Sequence, residues 1–319
     1  MTGKSAQIRH RHIDVGDARL HLAEAGAGEL VICLHGFPES WMSWRPQLES
    51  LGRDCLVVAP DNRGFNESSK PSRVEDYDMA HVTEDIRMIA AEYGVPGDGR
   101  KFTLAGHDWG GIAAYHFAAR YPSMLSGLVI LNAPHPSIFQ QQIFDNPAQR
   151  ANSQYISRLR DRKMESRVEA MGIDAFWTQF FGGHFARGAI SVADRAAWLN
   201  AWRRPGRLTA MLNWYRASDI VVPAVGADND KTSSPAAPSE PPLSATPVKR
   251  MEIDVPTMVI WGMQDTVLLP SLLDDLAAFV PELTIKKLAD AGHGLLHEAP
   301  TLVTKHIRDF LQRGAKTQG

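Results

Sequence analysis

Cysteine is almost missing from this chain. Only Cys33 and Cys55 occur in 319 residues, which excludes a disulfide framework and a cysteine-rich metal centre. Both lie in apolar runs and read as reduced, buried residues. An excess of one charge is missing too: 34 basic residues stand against 36 acidic ones for a net charge of −2. They are interspersed, so there is no basic stripe of the kind nucleic acid demands. Long apolar runs are also absent. No stretch reaches the ~18 residues of a membrane span. The opening MTGKSAQIRHRHIDV has no apolar core of a signal peptide. These absences set membranes and nucleic acid aside as partners and make the cytoplasm the expected location. What remains is ordinary globular composition, 44% hydrophobic and 22% charged, in a chain long enough to bury a large core. The His10-Arg11-His12 triplet has no carboxylate or cysteine at ligand spacing, so it reads as a solvated strand face. No metal and no cofactor is expected.

Periodicity gives the organisation. Two alternating segments, IRHRHIDV and ARLHLAEAG, flank Gly16-Asp17 and predict a hairpin. ELVICLHG, DCLVVAPD, KFTLAGHD and LSGLVILNA are continuous apolar runs, as expected of strands buried on both faces. Between them, residues 41–51, 79–93 and 109–122 show helical spacing. Strand and helix thus alternate from residue 31 to 133, which argues for a mostly parallel central sheet flanked by helices. The pattern breaks at 134. Helical segments rich in aromatics are predicted at 148–162, 174–181, 192–202 and 207–217, followed by a Pro/Ser/Ala-rich return at 222–247. Strands resume with PTMVIWG and ELTIKKLADAGH, with helices predicted at 269–279 and 300–312. The expected division is a core of residues 1–133 and 251–319 interrupted by a helical cap at 134–250.

The chemistry concentrates at strand ends. Gly106-His107-Asp108-Trp109-Gly110-Gly111 lies between a strand and a helix, the context a nucleophile elbow requires. The turn is so sharp that small residues must stand two positions either side of its centre. Gly106 and Gly110 do so, and the central residue is Asp108. Aspartate also caps helices well, but a cap would need no partners, and partners are present. A carboxylate that attacks carbon forms an ester with the enzyme. Cleaving that ester needs activated water, hence a general base and a group to orient it. His293 in Asp290-Ala291-Gly292-His293-Gly294 follows the last strand and is the predicted base, with His297 its rival. Asp265 in Gly262-Met263-Gln264-Asp265 follows the preceding strand and is the predicted orienting acid. The other slot for an acid reads Asn132-Ala133-Pro134 and offers no carboxylate. His35-Gly36-Phe37-Pro38 follows the first buried strand. Its Phe37 N–H, with that of Trp109, is the expected oxyanion hole.

Together, HGFP, GHDWGG, QDTVLLP and His293 resemble the α/β-hydrolase superfamily and, more narrowly, its epoxide hydrolase branch, over nearly the whole chain. The resemblance implies the α/β-hydrolase fold with an inserted helical cap. It also implies two cap tyrosines that hold the epoxide oxygen, which fall on Tyr155 in NPAQRANSQYI and Tyr215 in LNWYRAS. Phenol O–H groups suit an oxygen that becomes an alkoxide. The expected reaction is conversion of a small apolar epoxide and water to a vicinal diol. The aromatic side chains Trp41, Trp177 and Trp214 are candidates for the pocket wall, and a homodimer is one assembly the sequence permits. One departure is Asn66, where the related turn usually has glycine; asparagine tolerates positive φ, so the turn is expected to survive.

Three other functions compete. A haloalkane or haloacid dehalogenase would use the same Asp108–Asp265–His293 set. The haloacid type tends to carry arginine after the nucleophile, where this chain has Trp109, and a departing halide needs no proton source such as the tyrosine pair. An esterase is disfavoured, because a carboxylate attacking an ester would give an anhydride. A non-catalytic binding scaffold would need none of these groups together.

Overall fold

The alternating segments at the start become β1 (Arg9–Val15) and β2 (Ala18–Ala25), paired antiparallel across Gly16 at φ 68°. The computed structural model describes residues 5–226 and 251–316 and places both strands at one edge of an eight-stranded sheet. The continuous apolar runs supply β3 (Leu30–Leu34), β4 (Leu56–Pro60), β5 (Phe102–His107), β6 (Leu125–Leu131), β7 (Thr257–Gly262) and β8 (Leu283–Leu288). Every residue of β3, β5 and β7 is buried, as a strand covered on both faces must be. The order is β1-β2-β4-β3-β5-β6-β7-β8; β2 meets β4 antiparallel and the strands beyond are parallel.

The register brings the strand ends level. Leu34 pairs with Gly106, His107 with Leu131 and Gly262 with Leu288. The loops leaving β3, β5, β6, β7 and β8 therefore emerge side by side at one end of the sheet, where ligands gather in parallel sheets.

Helices fill the connections. Met79–Glu92 buries Val82, Ile86 and Ile89, spaced three and four apart. The terminal helix Pro300–Lys316 turns Val303 and Ile307 inward. Cys33 and Cys55 are free and buried. Asn66 takes φ 36°, the positive value that its turn needs. His10 and His12 are exposed on β1. No helix among the described residues is long and apolar enough to cross a membrane.

Between β6 and β7 the described residues form seven helices. The expected 148–162 helix is split at Ser153 into Pro147–Asn152 and Gln154–Arg160. Two helices go beyond the sequence reading: Pro136–Asp145, which begins on a proline, and Met164–Met171, which stops at Gly172 with φ 88°. The others run Ile173–Ala186, Val192–Trp202 and Arg207–Arg216. Most of the expected return segment, residues 227–247, lies outside the described residues. The helix expected at 269–279 is instead two short 3-10 turns, Pro270–Leu273 and Leu276–Ala278. Asp275 between them adopts a left-handed φ of 59°, which interrupts helical hydrogen bonding.

Candidate active site

β5 ends at His107 and the next helix, Trp109–Arg120, begins two residues later. Asp108 alone makes the turn, at φ 51° and ψ −122°, a conformation that L residues hold only under constraint. The residues two positions either side must be glycine. A Cβ on Gly106 would sit 2.3 Å from the Gly110 carbonyl oxygen, and one on Gly110 would sit 2.3 Å from that of Leu34. Strand and helix can close on each other only without those carbons. Gly106→Ala is accordingly expected to lower stability by about 3 kcal/mol through overpacking, measured as a fall in the urea midpoint. An unchanged midpoint would mean that the turn yields easily.

The elbow lifts the Asp108 carboxylate into the β3 loop. Oδ1 accepts the Phe37 N–H at 2.8 Å. Gly36 is required here as well, since a Cβ would lie 2.4 Å from that of Asp108. His35 fixes the loop: Nδ1 donates to the Gly36 carbonyl at 2.8 Å and Nε2 accepts the Asn62 N–H at 3.0 Å. That pair of roles needs a neutral ring, and burial lowers the His35 pKa accordingly. The Trp109 N–H, at the first helical position, has no hydrogen-bond partner among the described residues.

From the other side, the β8 loop brings His293 to Asp108, with Nε2 3.6 Å from Oδ2. The His293 Nδ1 meets Asp265 Oδ2 at 2.8 Å. Asp265 is buried and fully engaged. Its Oδ1 accepts the N–H groups of Val267 and Leu268 at 2.8 and 2.9 Å, and Oδ2 also accepts Asn132 Nδ2 at 2.7 Å. Burial alone would raise the Asp265 pKa, but His293 and these donors hold it below the ordinary carboxylate value. Burial would likewise lower that of His293; Asp265 and Asp108 outweigh it and keep the ring well above the usual histidine range. Asn132, at the end of β6, sits in the slot where the sequence offers no carboxylate. It supports Asp265 and takes the Gly262 N–H on its Oδ1 at 2.7 Å.

The helical segment supplies the roof. Tyr155 on Gln154–Arg160 and Tyr215 on Arg207–Arg216 approach edge to face, with ring centroids 6.1 Å apart. Tyr215 also meets Phe37 at 4.9 Å and Trp109 at 5.1 Å, so its ring stands over the elbow. Burial raises both phenol pKa values, and the Asp108 charge raises both further. Each hydroxyl therefore stays protonated. Trp214 packs edge-on to Trp109 at 6.1 Å, and its indole donates to the Arg63 carbonyl at 2.9 Å.

Two candidate wall residues are elsewhere. Trp41 packs against His10 at 4.9 Å and under the Arg45 guanidinium at 5.1 Å. Trp177 is enclosed by Phe181, Phe185 and Trp198 within the helical segment. Phe180, not singled out in the sequence, meets Phe37 at 5.6 Å instead. His297 is also turned away from Asp108: its Nε2 meets Glu39 Oε1 at 3.0 Å. Glu39 is buried and binds His107 Nδ1 at 3.0 Å, and His107 Nε2 donates to the His293 carbonyl at 2.9 Å. This chain of contacts braces the β8 loop. Burial opposes the charge on Glu39, but the two histidines hold its pKa well below the ordinary value. Among the described residues, metal-ligand atoms gather only at Asp17, Asp76 and His81, where Arg63 already donates to Asp17 at 3.2 Å.

Known proteins are similar to this chain in sequence and fold. Residues 29–300 match the family described as alpha/beta hydrolase fold. The AB hydrolase superfamily protein YfhM of Bacillus subtilis is 30% identical over 96% of this chain and 98% of its own length. Epoxide hydrolase 3 of Xenopus tropicalis is 30% identical over 97% of this chain and 79% of that protein. Among solved structures, an epoxide hydrolase of Bacillus megaterium in complex with an inhibitor has a TM-score of 0.82 at 30% identity. That match covers 95% of this chain and 100% of the other.

Proposed function

The chain belongs to the α/β-hydrolase fold family, on its epoxide hydrolase branch, and on that premise we propose that it converts a small apolar epoxide to a vicinal diol through an ester on Asp108. The observation that supports this reading is the tyrosine pair packed over the elbow, close enough for the Asp108 charge to act on both phenols. Asp108 attacks an epoxide carbon, the C–O bond breaks toward the oxygen, and that oxygen takes a proton from Tyr155 or Tyr215. A hydroxyalkyl ester results. Water, deprotonated by His293, adds to the ester carbonyl, whose oxygen rests on the Phe37 and Trp109 N–H groups. Collapse expels the diol oxygen, which takes the proton held by His293. The ester hydrolysis releases one further proton as the Asp108 carboxylate returns, and this restores the tyrosine. The helices of residues 134–250 act as the cap that carries the donors and excludes bulk water.

The electrostatics suit two steps. In the free enzyme His293 is flanked by two carboxylates, which favour its charged form. Esterification removes the charge on Asp108, so the histidine pKa falls and the ring becomes available as a base. Dehalogenation is the second reading, favoured only by the indole beside the nucleophile. It would leave the tyrosine protons without a use.

Single turnover in heavy-oxygen water tests the covalent route, with label expected in the Asp108 carboxylate. Diol formation from styrene oxide, with no halide release from a haloalkane, tests the bond that is broken; the reverse result overturns the assignment. Tyr155→Phe and Tyr215→Phe are each expected to lower epoxide turnover by roughly 10- to 100-fold, as loss of an acid or oxyanion donor does, and the double variant by more. Activity unchanged in the double variant would remove the tyrosines from the mechanism.

A further inference from the structure

Away from Asp108, a cleft of about 580 Å³ opens where β1, β2 and the turn after β4 meet the first residue of the helix Arg207–Arg216. Its size is in the range that holds small ligands. Arg207, Lys70, Arg19, His12, Ser68 and Ser69 contribute to its wall. The two carboxylates there are already engaged, Asp17 with Arg63 at 3.2 Å and Glu67 with Arg204. Arg19, Lys70 and Arg207 have no carboxylate partner among the described residues. The wall therefore carries uncompensated positive charge.

Arg207 is the decisive residue. It is 4% exposed, yet its guanidinium makes a single hydrogen bond, Nη1 to the Ser68 carbonyl at 3.0 Å, and its buried Nε has no partner. A guanidinium has five donors; Asp61 and Glu67 act on this one only from a distance, and burying a cation with no carboxylate in contact is expensive. The helix it begins adds to the imbalance. Gly206 precedes it at φ 74°, no side chain caps it, and its first turn holds no acid; the Arg207 N–H turns back to the Arg204 carbonyl at 3.0 Å, but the remaining first-turn N–H groups and the positive dipole end lack an anion. Lys70 runs along this terminus: a Cβ on Gly206 would be 3.7 Å from Lys70 Cε. The floor is fixed by backbone pairing. The Arg19 N–H donates to Ser69 Oγ at 2.9 Å, the Ser69 N–H to the Arg19 carbonyl at 2.8 Å, and the His21 N–H to Ser68 Oγ at 3.0 Å.

We infer that this cleft binds a phosphorylated small molecule, with the phosphate seated among Arg207, Lys70 and the helix N-terminus. The Ser68 hydroxyl is spent on the Asp61 carbonyl at 2.6 Å, but several cationic groups, a helix end and the Ser69 hydroxyl together offer more donors than one carboxylate accepts, and they match the three oxygens of a phosphate monoester. Arg19 and His12 line the part of the cleft left for the rest of the ligand. The site stands apart from the chemistry at Asp108 but is joined to it by structure. The same helix carries Trp214, bonded to the Arg63 carbonyl, and Tyr215. A bound phosphate would fasten that helix to the core and stabilise the folded chain.

Calorimetric titration of the full chain with phenyl phosphate, beside benzoate as its carboxylate counterpart, tests the inference. One saturable site and a raised melting temperature are expected for phenyl phosphate, with benzoate weaker by roughly tenfold or more, the scale of lost charge-assisted hydrogen bonds. Lys70→Ala and Arg19→Ala, both at exposed positions, should each weaken binding by roughly three- to tenfold at ordinary folding stability, the range of one hydrogen bond or ion pair. Arg207→Gln should weaken it further. If Arg207→Gln does not fold, the two exposed variants still decide. No saturation at millimolar ligand, equal binding of benzoate, or affinity unchanged in Lys70→Ala and Arg19→Ala would each overturn it.

Discussion

Replacing Asp108 with alanine is expected to cut kcat by about 10⁴-fold or more, as removal of a covalent nucleophile does, while epoxide affinity moves little. The difference between the two effects is the point of the experiment. The carboxylate supplies the atom that bonds to substrate carbon, whereas Tyr155, Tyr215, Phe37 and Trp109 form a separate aromatic group above it. Binding should therefore outlast chemistry. A single-step alternative, in which His293 drives water directly onto the epoxide, would use Asp108 only to position the ring. It would leave substantial turnover in the variant, and that outcome would remove the ester from the mechanism. The substitution adds little conformational cost, because aspartate and alanine are both L residues and the φ of 51° strains each of them. A circular dichroism melt would separate that cost from the loss of activity.

How much the sequence makes legible depends on how locally each feature is determined. The elbow is readable because its constraint is carried by the glycines themselves: with Cβ atoms 2.3 Å from backbone oxygens, no other residue fits, so the string names the turn. Asp265 and His293 are readable because each lies just past an apolar strand, and parallel strands end together. The supports beneath them are not. Asn132 looks like an empty slot, yet it becomes a ligand of Asp265 because β6 and β7 are neighbours in register. Glu39 lies 68 residues from His107 and 258 from His297, and nothing local in the chain links them. The preference for His293 over His297 rests on distance from the strand end. The four-residue separation sends one ring to Asp108 and the other to Glu39. Aromatic composition is the weakest guide: Trp41 and Trp177 pack away from the elbow, and Phe180 stands against Phe37 in their place. An indole buries equally well on either side of a helix, so only the tertiary packing selects its face. The 269–279 helix is interrupted locally, at two successive aspartates, Asp274 extended and Asp275 left-handed.

His293→Gln is expected to stop the enzyme halfway. Alkylation of Asp108 needs the carboxylate and the tyrosines, so the first step should proceed. The second step loses its base and should slow by about 10²- to 10⁴-fold, the usual scale of general-base catalysis. The ester then accumulates. Mass spectrometry should find the protein heavier by one intact substrate, with the addition on the peptide that contains Asp108. In the parent enzyme the same step should depend on pH in a stated direction. Its rate rises as His293 loses its proton, and the midpoint should lie below that of the free enzyme, where Asp265 and Asp108 both hold the ring protonated. Rapid-quench measurement of ester decay across pH, set beside an NMR titration of His293 in the free enzyme, compares the two midpoints. Equal midpoints would mean that Asp108 contributes nothing to the proton affinity of the ring. Free turnover by His293→Gln would place the base elsewhere and make His297 the next residue to change. That residue would first have to leave Glu39, to which its Nε2 is bonded at 3.0 Å, and the geometry of the β8 loop argues against it.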